Sequence, residues 1–333
     1  MATIKDVAKL SNTSIATVSN VITGKKFVNP DTKEKVLKRM KELNYKPNYA
    51  ARALKSNRSY SIAAILPDIT NPFFGEILKA IQSVINKSDY QLIVVDTDQS
   101  SEKELKALNR FISTKQVDGI IMIAPRLEEE LFPNEIDIPI IIVDRPSFEK
   151  ESNFSFVFTD NIRSSSMIAQ YAFNSGYKSF ACISGPENVP NANLRVKGFV
   201  DTLENCGIDK AEIKLIRTEF TFEHGFEAMT RILSTSNLKD RLAVFVTSDI
   251  AAWGAMEAVK KMGKKIREQV GIVGYDDIFF SEFLQPSLTT FKTPTEKIGK
   301  VVGSMILEQL KDVNLNRPNL IEIEGQLKIR NSI

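Results

Sequence analysis

The sequence predicts an all-α headpiece of helix-turn-helix type followed by an α/β body of two doubly wound parallel-sheet lobes. Three observations predict it. The first 60 residues carry 13 Lys and Arg against 4 Asp and Glu, while the remaining 273 carry 31 against 37, so a chain of net charge +3 gathers its excess positive charge in one small N-terminal unit. Beyond that unit, short unbroken apolar runs alternate with amphipathic stretches, the pattern of parallel strands covered by helices on both faces. A body of about 270 residues also exceeds what one hydrophobic core ordinarily serves.

The basic unit reads as three short helices. Thr3 and Asp6 form a start signal for a helix over 4–10, with Ile4, Val7, Ala8 and Leu10 able to face inward. Ser11-Asn12-Thr13 is a polar turn, and residues 14–22 predict a second helix resting on Val18, Val21 and Ile22. Gly24 breaks it. Asn29-Pro30-Asp31 supplies a cap, an N1 proline and an acidic first turn for a third helix carrying Val36, Leu37, Met40 and Leu43 to near Asn44. A tight polar turn between the first two helices suits a helix-turn-helix. The second helix shows Ser14, Ala16, Thr17, Ser19 and Asn20 outward, short side chains that permit close approach to base edges. Nucleic acid is the polyanion this cluster fits, since neutralised phosphates release counterions. Residues 48–54 after Pro47, followed by Lys55-Ser56-Asn57-Arg58-Ser59, read as a linker with a turn or two of helix.

In the body the apolar runs are 62–66, 92–95, 119–123, 138–143, 180–183, 242–246 and 270–273. The helical stretches between them are 73–86, 102–114, 162–174, 194–205, 223–233 and 250–262. Chain crossings between the lobes are expected near 159–161, 287–292 and 317–320. The expected division is a headpiece 1–47, a hinge and linker 48–58, and a body 59–333, with lobe 1 formed by 59–160 and 290–319 and lobe 2 by 161–289 and 320–333.

Ligands in open α/β sheets meet the carboxyl ends of the strands. There stand Asp68 through Phe74, Asp144-Arg145, Ser248-Asp249 and Gly274 through Asp277, with Arg195 beyond Gly185 and Phe220 before another helix. Carboxylates accept from hydroxyls, Arg offers a fork of donors, and aromatic faces suit the C–H side of a sugar ring. Taken singly, Phe73 or Phe74 could be plain core, Asp144-Arg145 a surface pair, Asp276 a helix cap, and Phe220 and Ser248 ordinary packing. Taken together, their strand-end placement points to a site for a small polyol.

Other classes find less support. No G-x-G-x-x-G follows a strand, Gly263-Lys264 lacks the rest of a phosphate loop, and His224 is the only histidine, so a catalytic triad or a metal site has no basis and neither enzymatic chemistry nor a cofactor is expected. Cys182 and Cys206 read as two reduced thiols. No run of ~18 apolar residues predicts a membrane span. The N terminus starts directly on the headpiece, so a cytoplasmic location is expected.

Thr3-Ile4-Lys5-Asp6-Val7-Ala8, Ile15 through Ile22 and Leu43-Asn44-Tyr45-Lys46-Pro47-Asn48 strongly resemble the lactose-repressor family of bacterial transcription regulators. The resemblance runs over nearly the whole chain. It implies a repressor that binds near-palindromic double-stranded operator DNA as a homodimer. Ile15, Ala16 and Asn20 would read bases, although many members carry Arg or His at the last position. Leu54 would wedge into the minor groove from a hinge helix. The full DNA-contacting set it implies is Thr3, Ser14, Ile15, Ala16, Thr17, Ser19, Asn20, Asn29, Tyr45, Asn48, Ala51 and Leu54. Asn71, Phe73, Phe74, Asp144, Arg145, Arg195, Phe220 and Asp276 line up with the ribose-binding pattern of the similar periplasmic sugar-binding proteins, with Ser248 where Asn is usual. The stretch 220–229 and Asn44-Tyr45 also look like ribose-operon repressors. A sugar effector, ribose or a near pentose or ketose, is therefore expected; the alternatives are another sugar, a phosphosugar or a protein corepressor. Whether the effector releases or recruits the operator stays open. The residues after 320–323 hold no added heptad repeat, so a dimer rather than a tetramer is expected.

Overall fold

The computed structural model describes residues 2–24, 26–45, 58–127, 131–132, 136–145, 154–235, 241–311 and 319–333. The chain splits into two units, Met1–Ser59 and Tyr60–Ile333.

In the first unit lie α1 (Ile4–Ser11), α2 (Ile15–Thr23) and α3 (Pro30–Glu42). Thr3 and Asp6 form a reciprocal cap: the Asp6 N–H donates to Thr3 Oγ1 at 3.4 Å, and the Thr3 N–H donates to Asp6 Oδ2 at 2.8 Å. The Thr3 hydroxyl, donating to Asp6 Oδ2 at 2.7 Å, and the Thr3 N–H hold the Asp6 carboxyl below its ordinary pKa. Ser14 caps α2 by accepting from the Thr17 N–H at 3.0 Å, and Asn29 caps α3 ahead of Pro30. Asn12 and Gly24 end the first two helices in left-handed backbone, φ 51° and 65°. Val7, Ala8, Val18, Val21 and Val36 form the core. Leu10 is 51% exposed, because the stripe Val7–Ser11, four residues apart on α1, is the one turned inward.

The second unit contains two six-stranded sheets. β1 (Ser61–Leu66), β2 (Gln91–Asp96), β3 (Gly119–Ile123), β4 (Ile140–Val143), β5 (Ser155–Phe158) and β11 (Leu320–Glu322) form the first, in the order β11-β5-β4-β3-β1-β2, all parallel. β6 (Ser179–Ser184), β7 (Lys214–Arg217), β8 (Leu242–Val246), β9 (Val270–Asp276), β10 (Thr289–Lys292) and β12 (Gln326–Lys328) form the second, in the order β12-β10-β9-β8-β6-β7, with only β12 antiparallel. The central strands β1, β3, β4, β8 and β9 are buried at every position, as apolar runs between two helical layers require.

Helices α4 (Pro72–Ile85), α5 (Ser101–Thr114) and α10 (Thr295–Lys311) cover the first sheet; α6 (Asn161–Asn174), α7 (Pro190–Asn205), α8 (Phe222–Thr235) and α9 (Asp249–Lys261) cover the second. The pairs α6/α7 and α8/α9 touch backbone to backbone. A Cβ on Gly198 would stand 2.2 Å from the Ile162 carbonyl oxygen and one on Gly254 1.9 Å from that of Phe222, so only glycine admits the approach. Ile278 and the half-buried Ile250 of the second lobe pack into the core of the first.

The chain crosses between lobes near 159–160, at 293–294 and at 323–325. Strand pairing puts the last two crossings later in the chain than the expected 287–292 and 317–320. Thr289–Lys292 belongs to lobe 2 through pairing with β9, and Leu320–Glu322 belongs to lobe 1 through pairing with Phe156–Phe158. Lobe 2 therefore regains the chain only after Ile323. Among the described residues no helix is long and apolar enough to cross a membrane.

Candidate functional site

The headpiece exposes one flank of α2. Ser14, Ile15 and Ala16 are exposed, and Thr17, Ser19 and Asn20 half-exposed, while Val18 and Val21 hold the opposite side in the core. Positions 15 and 19, and 16 and 20, are each four apart, so a short-chained surface runs along one flank of the helix. Ile15 leaves 44% of its surface in solvent. Asn29 is engaged as the α3 cap, and the Tyr45 N–H closes the end of α3 on the Met40 oxygen at 2.9 Å. Asn48, Ala51 and Leu54 lie outside the described residues.

In the body, a cavity of ≈ 60 Å³ lies between the two sheets at the carboxyl ends of their strands. Asn71, Phe73, Phe74 and Asp144 line it from lobe 1, and Arg195, Phe220, Ser248 and Asp276 from lobe 2. Local structure explains each placement. Asn71 caps α4 and sets Phe73 and Phe74 edge to face at 5.2 Å, both buried. Phe220 lies over Gly185 at the end of β6, where a Cβ would be 2.1 Å from the ring. The backbone is strained at this end of the sheets: Ala124, Asp144, Asp276 and Asp277 have φ of 46°, 54°, 115° and 57°. Non-glycine residues in such conformations cost on the order of 1–3 kcal/mol each and gather where function requires them.

Arg195 is the centre of the site. Its Nε donates to Asn161 Oδ1 at 2.7 Å, its Nη1 to the Thr247 oxygen at 2.8 Å, and its Cζ stands 3.7 Å over the Tyr275 ring. Asp144 and Asp276 flank it at 3.9 Å each. Burial works against the guanidinium charge, yet Tyr275, Asp276 and Asp144 outweigh it and hold the Arg195 pKa above its ordinary value. Burial pushes Asp144 up to about 6 and Asp276 well above the usual carboxylate range, with Arg195 pulling both back. Three buried polar atoms of the lining residues have no hydrogen-bond partner: Asn191 Oδ1, Ser248 Oγ and Asp276 Oδ1. Buried polar atoms without a hydrogen-bond partner are rare in folded proteins.

Arg145 corrects the expected set. Asp144 in left-handed backbone turns the chain, and Arg145 Nη1 donates to the carbonyl oxygens of Leu127 and Pro125 rather than facing the cavity. The strand-end stretch beginning at Asp68 also lines it, whereas the sequence reading missed Gln99, Arg126 and Asn191, all of which do so too. Asn191 carried a usable signal, since it sits four residues before Arg195 on α7 and so on the same face. Gln99 and Arg126 stand on loops after β2 and β3, where no periodicity marks them.

The sequence profile described as "Bacterial regulatory proteins, lacI family" matches residues 3–48, and that described as "Periplasmic binding proteins and sugar binding domain of LacI family" matches residues 59–330. The chain belongs to the lacI family. It is similar to the transcriptional repressor CytR of Escherichia coli strain K12, 32% identical over 332 residues that span 99% of this chain and 96% of that one. It is equally similar to the repressor PurR of Vibrio campbellii, 32% identical over 341 residues, 100% of this chain and 99% of that one. Among solved structures, a LacI-family regulator from Enterococcus faecalis V583 with bound ribose matches with a TM-score of 0.71 at 28% identity, over 82% of this chain and 98% of that one. This LacI-family chain is thus a DNA-binding transcriptional repressor, with the α2 face on its DNA-binding part and the cavity inside its ligand-domain fold.

Proposed function

We propose that this repressor controls a carbohydrate-utilisation operon and answers to a small uncharged sugar, ribose or a similar pentose, held between its lobes. The observation that carries this reading is the ring of Asn191, Ser248 and Asp276 with orphaned polar atoms around Arg195, faced by Phe73, Phe74 and Phe220. Hydroxyls satisfy such acceptors, and aromatic rings cover the apolar face of a furanose or pyranose. A phosphosugar fits less well. The lining holds Asp68, Asp144 and Asp276 against Arg126 and Arg195, and both guanidinium groups already have partners in the protein. The ribose bound to the Enterococcus faecalis relative agrees with this choice.

A cavity of ≈ 60 Å³ holds roughly four waters, less than a pentose displaces, so the lobes part for the sugar to enter. Three crossings permit that motion. The sugar then biases operator affinity by its differential affinity for the two lobe arrangements. Ile15, Ala16 and Asn20 read the operator, supported by Thr3, Ser14, Thr17, Ser19, Asn29 and Tyr45 and by the hinge residues Asn48, Ala51 and Leu54. Self-association is favoured by an exposed aromatic surface on lobe 2. Phe279, Phe280 and Phe283 are 57%, 37% and 72% exposed beside Trp253, an apolar patch that a monomer seldom leaves in water.

The test is calorimetric titration with D-ribose, other pentoses and hexoses, free nucleosides and ribose 5-phosphate, repeated with operator DNA selected from a random library. An uncharged pentose should bind and change operator affinity. Binding of the phosphosugar alone would overturn the reading.

A further inference from the structure

Among the described residues, Arg126 is the cation that lines the cavity from lobe 1, and the molecule builds a support behind it. Glu104, 1% exposed on α5, accepts from the backbone N–H groups of Arg126 and Leu127 at 2.9 Å each. Arg145 grips the same segment from its other end through the Leu127 and Pro125 carbonyls. Held in this way, the Arg126 side chain is 8% exposed, lines the cleft and donates to Gln99 Oε1 of its own lobe. Gln99 is positioned in turn: its backbone is left-handed, φ 58°, and its N–H donates to the Pro67 oxygen at 2.7 Å. The Arg126 guanidinium then reaches across to Glu219 Oε2 of lobe 2 at 3.4 Å.

Glu219 precedes Phe220, whose ring lines the cavity, but Glu219 itself does not line it. The carboxylate of this bridge therefore lies outside the cavity, although its guanidinium lines it. Arg195 with Asp144, and Asn191 Nδ2 donating to the Asp144 carbonyl oxygen, use groups that a bound sugar also needs. The Arg126–Glu219 pair can persist with the cleft filled.

We propose that Arg126 and Glu219 form an inter-lobe latch that closes the mouth of the cleft, with Glu104, Arg145 and Gln99 as the positioning residues that aim it. The inference rests on the reading of the cleft as an effector site. The latch sets how closed the unliganded protein is, and so how much of an effector's binding free energy goes into closure.

The experiment is hydrogen exchange followed by mass spectrometry on the full-length, unliganded protein, in peptides spanning 96–100 and 216–221. Glu219→Gln and Arg126→Gln should each speed exchange in both segments about threefold, the scale of a partly exposed ion pair. The exchanged pair Arg126→Glu with Glu219→Arg should recover at least half of the lost protection. Unchanged exchange in Glu219→Gln overturns the latch, and so does an effect of Arg126→Gln that the exchanged pair fails to reverse. Titration of the same variants with D-ribose should show a loss of affinity of similar size. If the unsubstituted protein binds no sugar, the effector reading fails while the exchange result still decides the latch.

Discussion

Asp276→Asn is the sharpest test of the cleft. The residue is 6% exposed, its Oδ1 has no hydrogen-bond partner, and Arg195 Nη1 stands 3.9 Å from it. The substitution keeps the shape and removes the carboxylate. The amide puts a donor where one acceptor oxygen stood, and a buried pairing left unmade costs on the order of 1–3 kcal/mol, so the sugar should bind roughly 5- to 100-fold more weakly. Stability should not suffer. Burial raises the Asp276 pKa in the folded protein, which means the fold disfavours the charge, and a neutral amide removes that cost. Arg195→Ala is a poorer probe, because it would strand Asp144 and Asp276 beside an emptied position and free the bonds to Asn161 and Thr247. Calorimetry with D-ribose, thermal melting and fluorescence anisotropy on labelled operator, with and without sugar, give the readouts. The expected variant melts at or above the unsubstituted protein, holds sugar-free operator DNA as tightly, and has lost its response to the sugar. An unchanged sugar response would place the effector elsewhere. Loss of sugar-free operator binding would show that Asp276 supports the fold instead.

Three further outcomes are expected. A protein beginning at Tyr60 should fold and bind sugar yet lose operator affinity, since Val7, Ala8, Val18, Val21 and Val36 form a core separate from the body's; retained operator binding would refute the headpiece assignment. Phe280→Glu should yield a monomer by analytical ultracentrifugation with weakened operator binding, because it places a charge in the aromatic surface with Trp253 and Phe279; a dimer of unchanged stability would exclude that surface. Burial raises Glu104 and Asp249 to about 7 each. The folded state thus holds their protons more tightly than the unfolded chain, so this stability is fully present below the unfolded pKa near 4 and is lost as pH rises toward 7, by up to about 1.4 kcal/mol per unit per group. Melting of the body should therefore occur at a higher temperature at pH 6 than at pH 8, and the reverse order would contradict the assigned burial.

Most of the architecture was legible because burial imposes periodicity. The apolar run 242–246 is strand β8 end to end, and Asn29-Pro30 starts α3 where the cap chemistry requires. Strand partnership was not legible. Leu320–Glu322 has no local feature that distinguishes pairing with β5 from joining lobe 2, since its hydrogen-bonding partners lie far earlier in the chain. Within the site, strand-end position found Asn71, Phe73, Phe74, Asp144, Arg195, Phe220, Ser248 and Asp276. It failed at Arg145, where the left-handed turn at Asp144 decides which way the next side chain points. It also passed over Arg126 and Gln99, whose roles come from loop geometry and not from any repeat.

The three crossings have a consequence for how the protein is made. β5 emerges from the ribosome long before its neighbour β11, and β10 before β12, so each sheet lacks one edge strand until the last fifteen residues appear. The headpiece needs only near neighbours in sequence, and such local contacts form fast and first during synthesis. Translation halted shortly before residue 320 would leave a completed headpiece attached to a body whose two sheets both lack an edge strand.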